Sequence, residues 1–295
     1  MQRSSRAFIP DLQLLLAAFI WGFAFVAQRV GMQTMPPIFF NSFRFLLGGL
    51  ALLAASVIFP ALKPASSASA GWRKVLPAGL LCGVILFGGA TLQQMGIVYT
   101  TAGKAGFITG LYVVLVPLAG LFWGHRMGIF SILGAILAAA GLYLLSVTGQ
   151  FKLAPGDGLV LLGAFFWTAH VLLIARLSKT VDPVRLSVTQ FFVCGILSLL
   201  AGLFFEELTW AGLSAALLPL LYGGLLSVGV GYTLQVVAQV KARPSHAAVI
   251  LSLEGAFAVL GGWLLLGETL SLRGIIGCIL MLAAMLVSQQ GILRD

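Results

Sequence analysis

The sequence predicts an all-α membrane protein, with ten transmembrane helices in two inverted five-helix repeats over residues 1–150 and 151–295. Three observations support this fold class. Of the 295 residues, 60% are hydrophobic and only 8% are charged, and the mean hydropathy is +1.08. A water-exposed coat needs roughly 25% charge, so most of this surface must meet lipid. Apolar runs of roughly 20 residues, enough to cross about 30 Å of hydrocarbon, recur along the chain. The second half also repeats landmarks of the first.

The first span begins near Leu12 and contains "LLLAAFIWGFAFVAQRV" (14–30). Arg3 and Arg6 precede it, but no small-x-small cleavage pattern follows, so a retained span is expected rather than a signal peptide. "TMPP" ends it, because paired prolines stop one helix and open the next, near Ile38. "PALKPASSASAGWRK" leads to the third span near Val75, "TTAGK" to the fourth near Ala105, and "GHRMG" to the fifth near Ile129. "FKLAPGDG" opens a second set, with the sixth span near Gly158 and, after "LSKTVDP", the seventh near Val184. The eighth begins near Leu213 after "EELTW", the ninth near Ala247 after "KARPSH", and the tenth near Leu270. These connections are too short to hold a soluble domain.

Lys and Arg outnumber Asp and Glu by 17 to 8, a net charge of +9. The cations are scattered through short connections rather than gathered in a patch, which argues against nucleic acid as a partner. With the N-terminus inside, Arg3, Arg6, Lys63, Arg73, Lys74, Arg126, Arg176, Lys179, Arg185, Lys241, Arg243 and Arg294 face the cytoplasm. Arg29, Lys104, Lys152 and Arg273 face the other side, with Asp157, Glu206, Glu207 and Glu268. That excess predicts both termini in the cytoplasm, in agreement with an even number of spans, and a multi-pass protein of a bacterial inner (plasma) membrane. Cys82, Cys194 and Cys278 lie in apolar segments without a CxxC, so packing roles are expected, with no metal site and no cofactor.

The repeat is legible in matched landmarks. Trp21 and Trp167 stand 146 residues apart, and at the same offset Pro37 meets Pro183, Phe45 meets Phe191 and Gly49 meets Gly195. "TLQ" at 91–93 recurs at 233–235, and "GHRMGIFSILGAIL" (124–137) lies over "GETLSLRGIIGCIL" (267–280). Five spans per copy is an odd number, so the second copy enters the membrane upside down. Inverted repeats of this kind are characteristic of secondary transporters, whose binding site lies between the halves.

The segments "FIWGFAFV" (19–26), "FRFLLGGL" (43–50), "YTTAGKAGFITGLYVVLVPL" (99–118) and "LSLEGAFAVLGGWLLLGETLSLRGIIG" (251–277) carry a family resemblance. Their order and duplication resemble the EamA-type branch of the drug/metabolite transporter (DMT) superfamily. That resemblance implies ten helices, a central cavity reached by alternating access, and movement of small metabolites, often outward, such as amino acids or nucleobase-like compounds. Two departures stand out. His125 occupies the first-half position where the family usually has glutamate, matched in the second half by Glu268. In the ninth span Gly255 follows Glu254 where the family often has proline, which bears on the helix break there.

Ionisable groups within a bilayer cost roughly 2.5 to 3.5 kcal/mol each on insertion scales, so the few that persist are candidate site residues. Arg44, in the second span, is expected to meet a carboxylate on the substrate or on Glu254, or else to bond backbone carbonyls; Gln190 matches it in the second half. Glu254, about 15 Å past Pro244 at 1.5 Å per residue, and His170, one turn beyond Trp167, are the proton-coupling candidates. Either has a structural alternative as a hydrogen-bonded packing residue. Lys104, at the head of the fourth span, suits either guidance of anions or capping. Trp21, Asn41, Gln93, Gln94, Tyr112, Trp167, Tyr232 and Gln235 complete the expected substrate-binding set. Their aromatic faces and amides suit an uncharged or zwitterionic small molecule. Trp72, Trp123 and Trp210, at span ends, are expected in the interfacial belt.

The expected function is secondary active transport, with membrane lipid, a small-molecule substrate and protons as candidate partners. A passive channel or facilitator and a membrane-embedded enzyme are the alternatives. Without a Walker A pattern, an HExxH or a clustered nucleophile, an enzyme is not expected.

Overall fold

The computed structural model of the protein describes residues 2–59, 71–122, 128–146, 155–268 and 271–294. Lys63, Trp123, His125, Arg126 and Lys152 lie outside the described residues. The fold is all-helical. Among the described residues, eight helical segments are long and apolar enough to cross a membrane, and two shorter apolar helices, Ile129–Gly141 and Leu272–Val287, accompany them.

The first three spans are single helices: α1 (Gln2–Gly31), α2 (Pro37–Ile58) and α3 (Trp72–Ile97). Pro37 opens α2, where its missing N–H costs nothing. The next two N–H groups of α2, those of Ile38 and Phe39, each donate to the Glu206 carboxylate at 2.9 Å. Glu206 closes the seventh span, so a carboxylate from the second half caps a helix of the first. The fourth span is broken into α4 (Ala102–Gly110) and α5 (Tyr112–Phe122), and α6 (Ile129–Ser146) is the fifth.

In the second half, α7 (Pro155–Leu177) and α8 (Pro183–Phe205) are again single helices. Asp182 caps α8 by accepting from the Arg185 N–H at 2.8 Å. The eighth span departs from the single helix expected. It runs as α9 (Trp210–Ala215), α10 (Leu217–Leu221), an eleven-residue π-helical segment Tyr222–Tyr232, and α11 (Thr233–Gln239). The ninth is broken into α12 (Pro244–Leu251) and α13 (Glu254–Leu266), and α14 (Leu272–Arg294) is the tenth. The break persists without the family's proline: Leu253 N–H turns back to the Ile250 carbonyl and Gly255 N–H to that of Ser252. α13 ends at Gly267, whose φ of 68° is a left-handed cap open to glycine.

The packing follows the repeat. The main contacts between halves have counterparts with the halves exchanged: α3 packs on α7 as α11 and the π segment pack on α1. α3 packs on α8 as the π segment packs on α2, and α4 and α5 pack on α7 as α12 and α13 pack on α1. Two pairings map onto themselves, α2 on α8 and α6 on α14. There the matched residues Phe45 and Phe191 meet with ring centroids 6.3 Å apart. Trp72 and Trp210 stand exposed at the heads of α3 and α9, as a lipid–water belt requires.

Candidate functional site

The centre of the bundle holds a small cavity of about 30 Å³, roughly the space of one or two waters. It is lined from seven spans by Trp21, Ala24, Phe25, Gln28, Arg44, Gln93, Thr109, Tyr112, Trp167, Val171, Ser227, Tyr232, Gln235, Leu251 and Glu254. Eight of the expected substrate-binding residues are among them. Asn41, Gln94, His170 and Gln190 are buried just outside the lining.

The two broken spans aim their breaks at this cavity. The offset of 142 that aligns the two TLQ motifs makes Tyr112 and Glu254 equivalent positions. Each is the first residue of the helix that follows its break, and the two side chains are neighbours across the centre. A half-helix that starts at mid-membrane presents the positive end of its dipole there.

Arg44 is 2% exposed. Its Nε donates to Asn41 Oδ1 at 2.8 Å one turn back on α2, and its guanidinium lies over the Phe45 ring at 5.0 Å. Among the described residues no ion pair joins it to Glu254, although both line the cavity. The Asn41 bond orients the cation without neutralising it.

Equivalent residues serve differently in the two halves. Trp167 Nε1 donates to Gln93 Oε1 at 2.7 Å, and Thr109 reaches the same oxygen at 3.4 Å. The equivalent pair is Trp21 and Gln235, but Trp21 Nε1 donates instead to the Ser227 carbonyl at 3.1 Å. That carbonyl lies inside the π-helical segment, whose wider turn alters the ordinary hydrogen-bond register. Gln235 Oε1 is left buried without a protein partner.

A second contrast sits one layer away. His170 Nε2 and Gln190 Oε1 pair at 2.9 Å between α7 and α8. At the 146-residue offset their counterparts are Ala24 and Arg44, both in the cavity wall. The second-half pair closes on itself behind the rings of Trp167 and Tyr232, which lie 6.0 and 6.2 Å from the imidazole. In the first half a methyl group replaces the imidazole, and Arg44 is open to the cavity.

Tyr232 is the hub of the aromatic wall, with ring centroids 4.6 Å from Trp21, 5.8 Å from Phe45, 5.9 Å from Phe191 and 6.0 Å from Trp167. Its first-half equivalent is Ala90. Other buried polar atoms near the centre also lack protein partners: Asn41 Nδ2, both amide atoms of Gln94, Gln28 Oε1 and Gln190 Nε2. Buried polar groups are nearly always satisfied, so this concentration marks a place built for polar cargo or water.

Sequence reasoning missed Gln28, Thr109 and Ser227. Gln28 was findable, as an amide two turns beyond Trp21 on the same helix. Ser227 enters only because the π segment rotates the following residues.

At the bundle ends lie two crevices. One, of about 130 Å³, is bounded by Arg29, Met32, Gln33, Ile97 and Val98. The other, of about 710 Å³, lies at the opposite end between α3, α7 and α12, with Arg176, Lys179 and Pro244 at its mouth.

Comparison with known proteins agrees with this architecture. The model of the EamA-like transporter family matches the chain twice, over residues 8–147 and 154–289. An uncharacterized transporter of Archaeoglobus fulgidus is 35% identical over 94% of this chain and 84% of its own. The uncharacterized transporter YwfM of Bacillus subtilis is 30% identical over 95% and 93%. The uncharacterized inner membrane transporter YedA of Escherichia coli is 26% identical over 90% and 86%. A solved crystal structure shares the fold with a TM-score of 0.75 at 19% identity, covering 95% of this chain and 96% of that one. The chain is a multi-pass membrane protein, and it belongs to the EamA-like transporter family.

Proposed function

We propose that the protein is a secondary active exporter of small metabolites, such as zwitterionic amino acids or uncharged nucleobase-like compounds, working by alternating access. Its moving units are the two five-helix repeats, residues 1–150 and 151–295. It works in a bacterial inner membrane with both termini in the cytoplasm, an orientation supported by the distribution of Lys and Arg. The inner-membrane relative from Escherichia coli is in keeping with that location.

The observation that carries the reading is the coexistence of Arg44 and Glu254 in one small cavity with no ion pair between them. Two buried ionisable groups of opposite sign that do not pair with each other suit a cargo bearing both signs. The substrate carboxylate meets Arg44 in a charge-assisted pair, and the amine meets Glu254 beside Tyr112. Trp21, Trp167 and Tyr232 receive a flat or apolar side group. The Gln235 carbonyl supplies an acceptor. Glu254 also carries the coupling proton, releasing it as the substrate amine enters and rebinding it as the substrate leaves. His170, paired with Gln190 behind the aromatic wall, influences that step from one layer back.

A cavity of one or two waters cannot hold such a cargo, so the halves must separate to admit it. This supports a carrier over a standing pore.

Counterflow in vesicles containing the purified protein tests the proposal. Preloaded amino acids or nucleobases should drive saturable uptake of the labelled compound. Arg44→Gln should abolish flux of carboxylate-bearing compounds, and Glu254→Gln should abolish the response to a proton gradient. Unsaturable flux, or unchanged pH response in Glu254→Gln, would contradict the reading.

A further inference from the structure

An ion pair and a histidine–carboxylate pair stand at opposite ends of the bundle, and the repeat relates one to the other. At one end Lys104 Nζ meets Asp157 Oδ2 at 2.5 Å, joining the head of α4 to the head of α7. At the other, His246 Nε2 meets Asp11 Oδ1 at 2.8 Å, joining the head of α12 to α1. Asp11 and Asp157 are 146 residues apart, the offset of Trp21 and Trp167. Lys104 and His246 are 142 apart, the offset of the two TLQ motifs and of Tyr112 and Glu254. The same two contacts between halves, α4 on α7 and α12 on α1, are therefore pinned at equivalent points. Five spans separate the equivalent positions, so the pins lie on opposite faces of the membrane.

Their depth suits a gate. Each aspartate is ten residues from the tryptophan of its own helix that lines the cavity, about 15 Å at 1.5 Å per residue. Lys104 and His246 are each eight residues from Tyr112 and Glu254. Separating α7 from α4, or α1 from α12, would open a path to the same cavity from one face or the other. Asp157 is 5% exposed and His246 2% exposed, so each pair is half withdrawn from water and its loss would be felt.

We propose that Lys104–Asp157 and Asp11–His246 are the two gate latches of the transport cycle, one for each face, closed together in the occluded state and released in alternation. This rests on the alternating-access reading and adds to it the residues that hold each gate.

The latch on the Asp157 face is reinforced. Thr100 Oγ1 donates to Asp157 Oδ1 at 2.8 Å, and the Arg29 guanidinium donates to the Thr100 carbonyl, which ties α1 into the same cluster. Thr100 has Ala242 as its second-half equivalent, so this hydroxyl is not repeated at the matching position.

The test uses the full chain in sealed vesicles, with Cys82, Cys194 and Cys278 replaced by alanine and Ser227→Cys as the single thiol in the cavity. A membrane-impermeant methanethiosulfonate is applied to one face at a time. Lys104→Gln should raise the labelling rate from the Asp157 face about three- to fivefold and lower it from the Asp11 face, the shift that a partly solvated ion pair supports. Asp11→Asn should do the reverse. The charge exchange Lys104→Asp with Asp157→Lys should restore the parental ratio, which a purely structural role would not. A shift of the same sign for both latches, an unchanged ratio, or failure of the folded exchange variant to restore it would overturn the latch assignment. The parent tests the underlying reading separately: labelling from only one face under all conditions, with or without amino acids or nucleobases, would sink alternating access itself.

Discussion

The first and second halves bring equivalent residues to the same centre and spend them differently. In the second half His170 bonds Gln190; the first-half counterparts, Ala24 and Arg44, leave a cation facing the cavity. Trp167 is satisfied by Gln93; Trp21 has turned to the Ser227 carbonyl of the π segment and left Gln235 Oε1 without a protein partner. A symmetric scaffold can alternate between two faces, but a symmetric site would be indifferent to how an asymmetric cargo lies in it. Breaking the symmetry within the lining, while keeping it in the helix packing, gives both properties. The same contrast runs to the ends of the bundle. The Asp157 end is held by an ion pair with Thr100 and Arg29 gathered around it, beside a crevice of about 130 Å³. The Asp11 end has its histidine–carboxylate pair beside a crevice of about 710 Å³.

The comparison can be broken most severely by making the first half copy the second. Ala24→His with Arg44→Gln builds the His–Gln pair in place of the cavity-facing cation. Counterflow should fall by about a hundredfold or more, the loss of a buried charge-assisted contact worth about 3 kcal/mol, while the purified protein remains monodisperse. Retained transport of carboxylate-bearing compounds would show that the asymmetry at Arg44 is incidental.

The two glutamines sharpen the contrast. Gln93→Ala should destabilise the fold by about 1–3 kcal/mol, because the Trp167 N–H loses its acceptor in a buried site, and thermal unfolding in detergent reads this directly. Gln235→Ala should leave the unfolding temperature unchanged and weaken substrate affinity about tenfold. If the two variants behave alike, the difference in hydrogen bonding has no functional content.

A smaller effect is expected at Gly231. A methyl group there would sit 2.6 Å from Trp21 Nε1, so Gly231→Ala should push the indole off the Ser227 carbonyl at a cost of about 1–3 kcal/mol. Tryptophan fluorescence of a variant with Trp21 as its only tryptophan follows this. The least effect falls on Tyr112→Phe, which removes one hydroxyl beside Glu254 and should reduce flux only about three- to tenfold.

Much of this architecture is legible in the sequence because lipid imposes simple rules. Composition demands helices, apolar run length counts them, and an odd number per repeat inverts the second copy. Arg44 and Glu254 stand out because charge is scarce in apolar runs. The breaks at Leu111 and at Ser252–Leu253 are harder to see, since neither contains proline and local turn geometry makes them. The π segment "YGGLLSVGVGY" is hidden for a related reason: its glycines fit a tightly packed α-helix equally well. Once it forms, the register shifts, Ser227 enters the site and Trp21 and Gln235 part company. His170 looks like a site residue from its place beside Trp167, and only the partner across the helix interface, Gln190, explains its burial.

The central claim is that equivalent positions of the two repeats lie on opposite sides of the membrane around one cavity. Leu12 and Gly158 are such a pair at the 146-residue offset, both exposed at the start of their spans. Single cysteines at these positions, in a chain with its native cysteines replaced, can be labelled with a membrane-impermeant maleimide in sealed vesicles of known orientation. One position should react only from outside the vesicle and the other only after the interior is opened. Labelling of both from the same side would contradict the inversion, and with it the shared, alternately opened site.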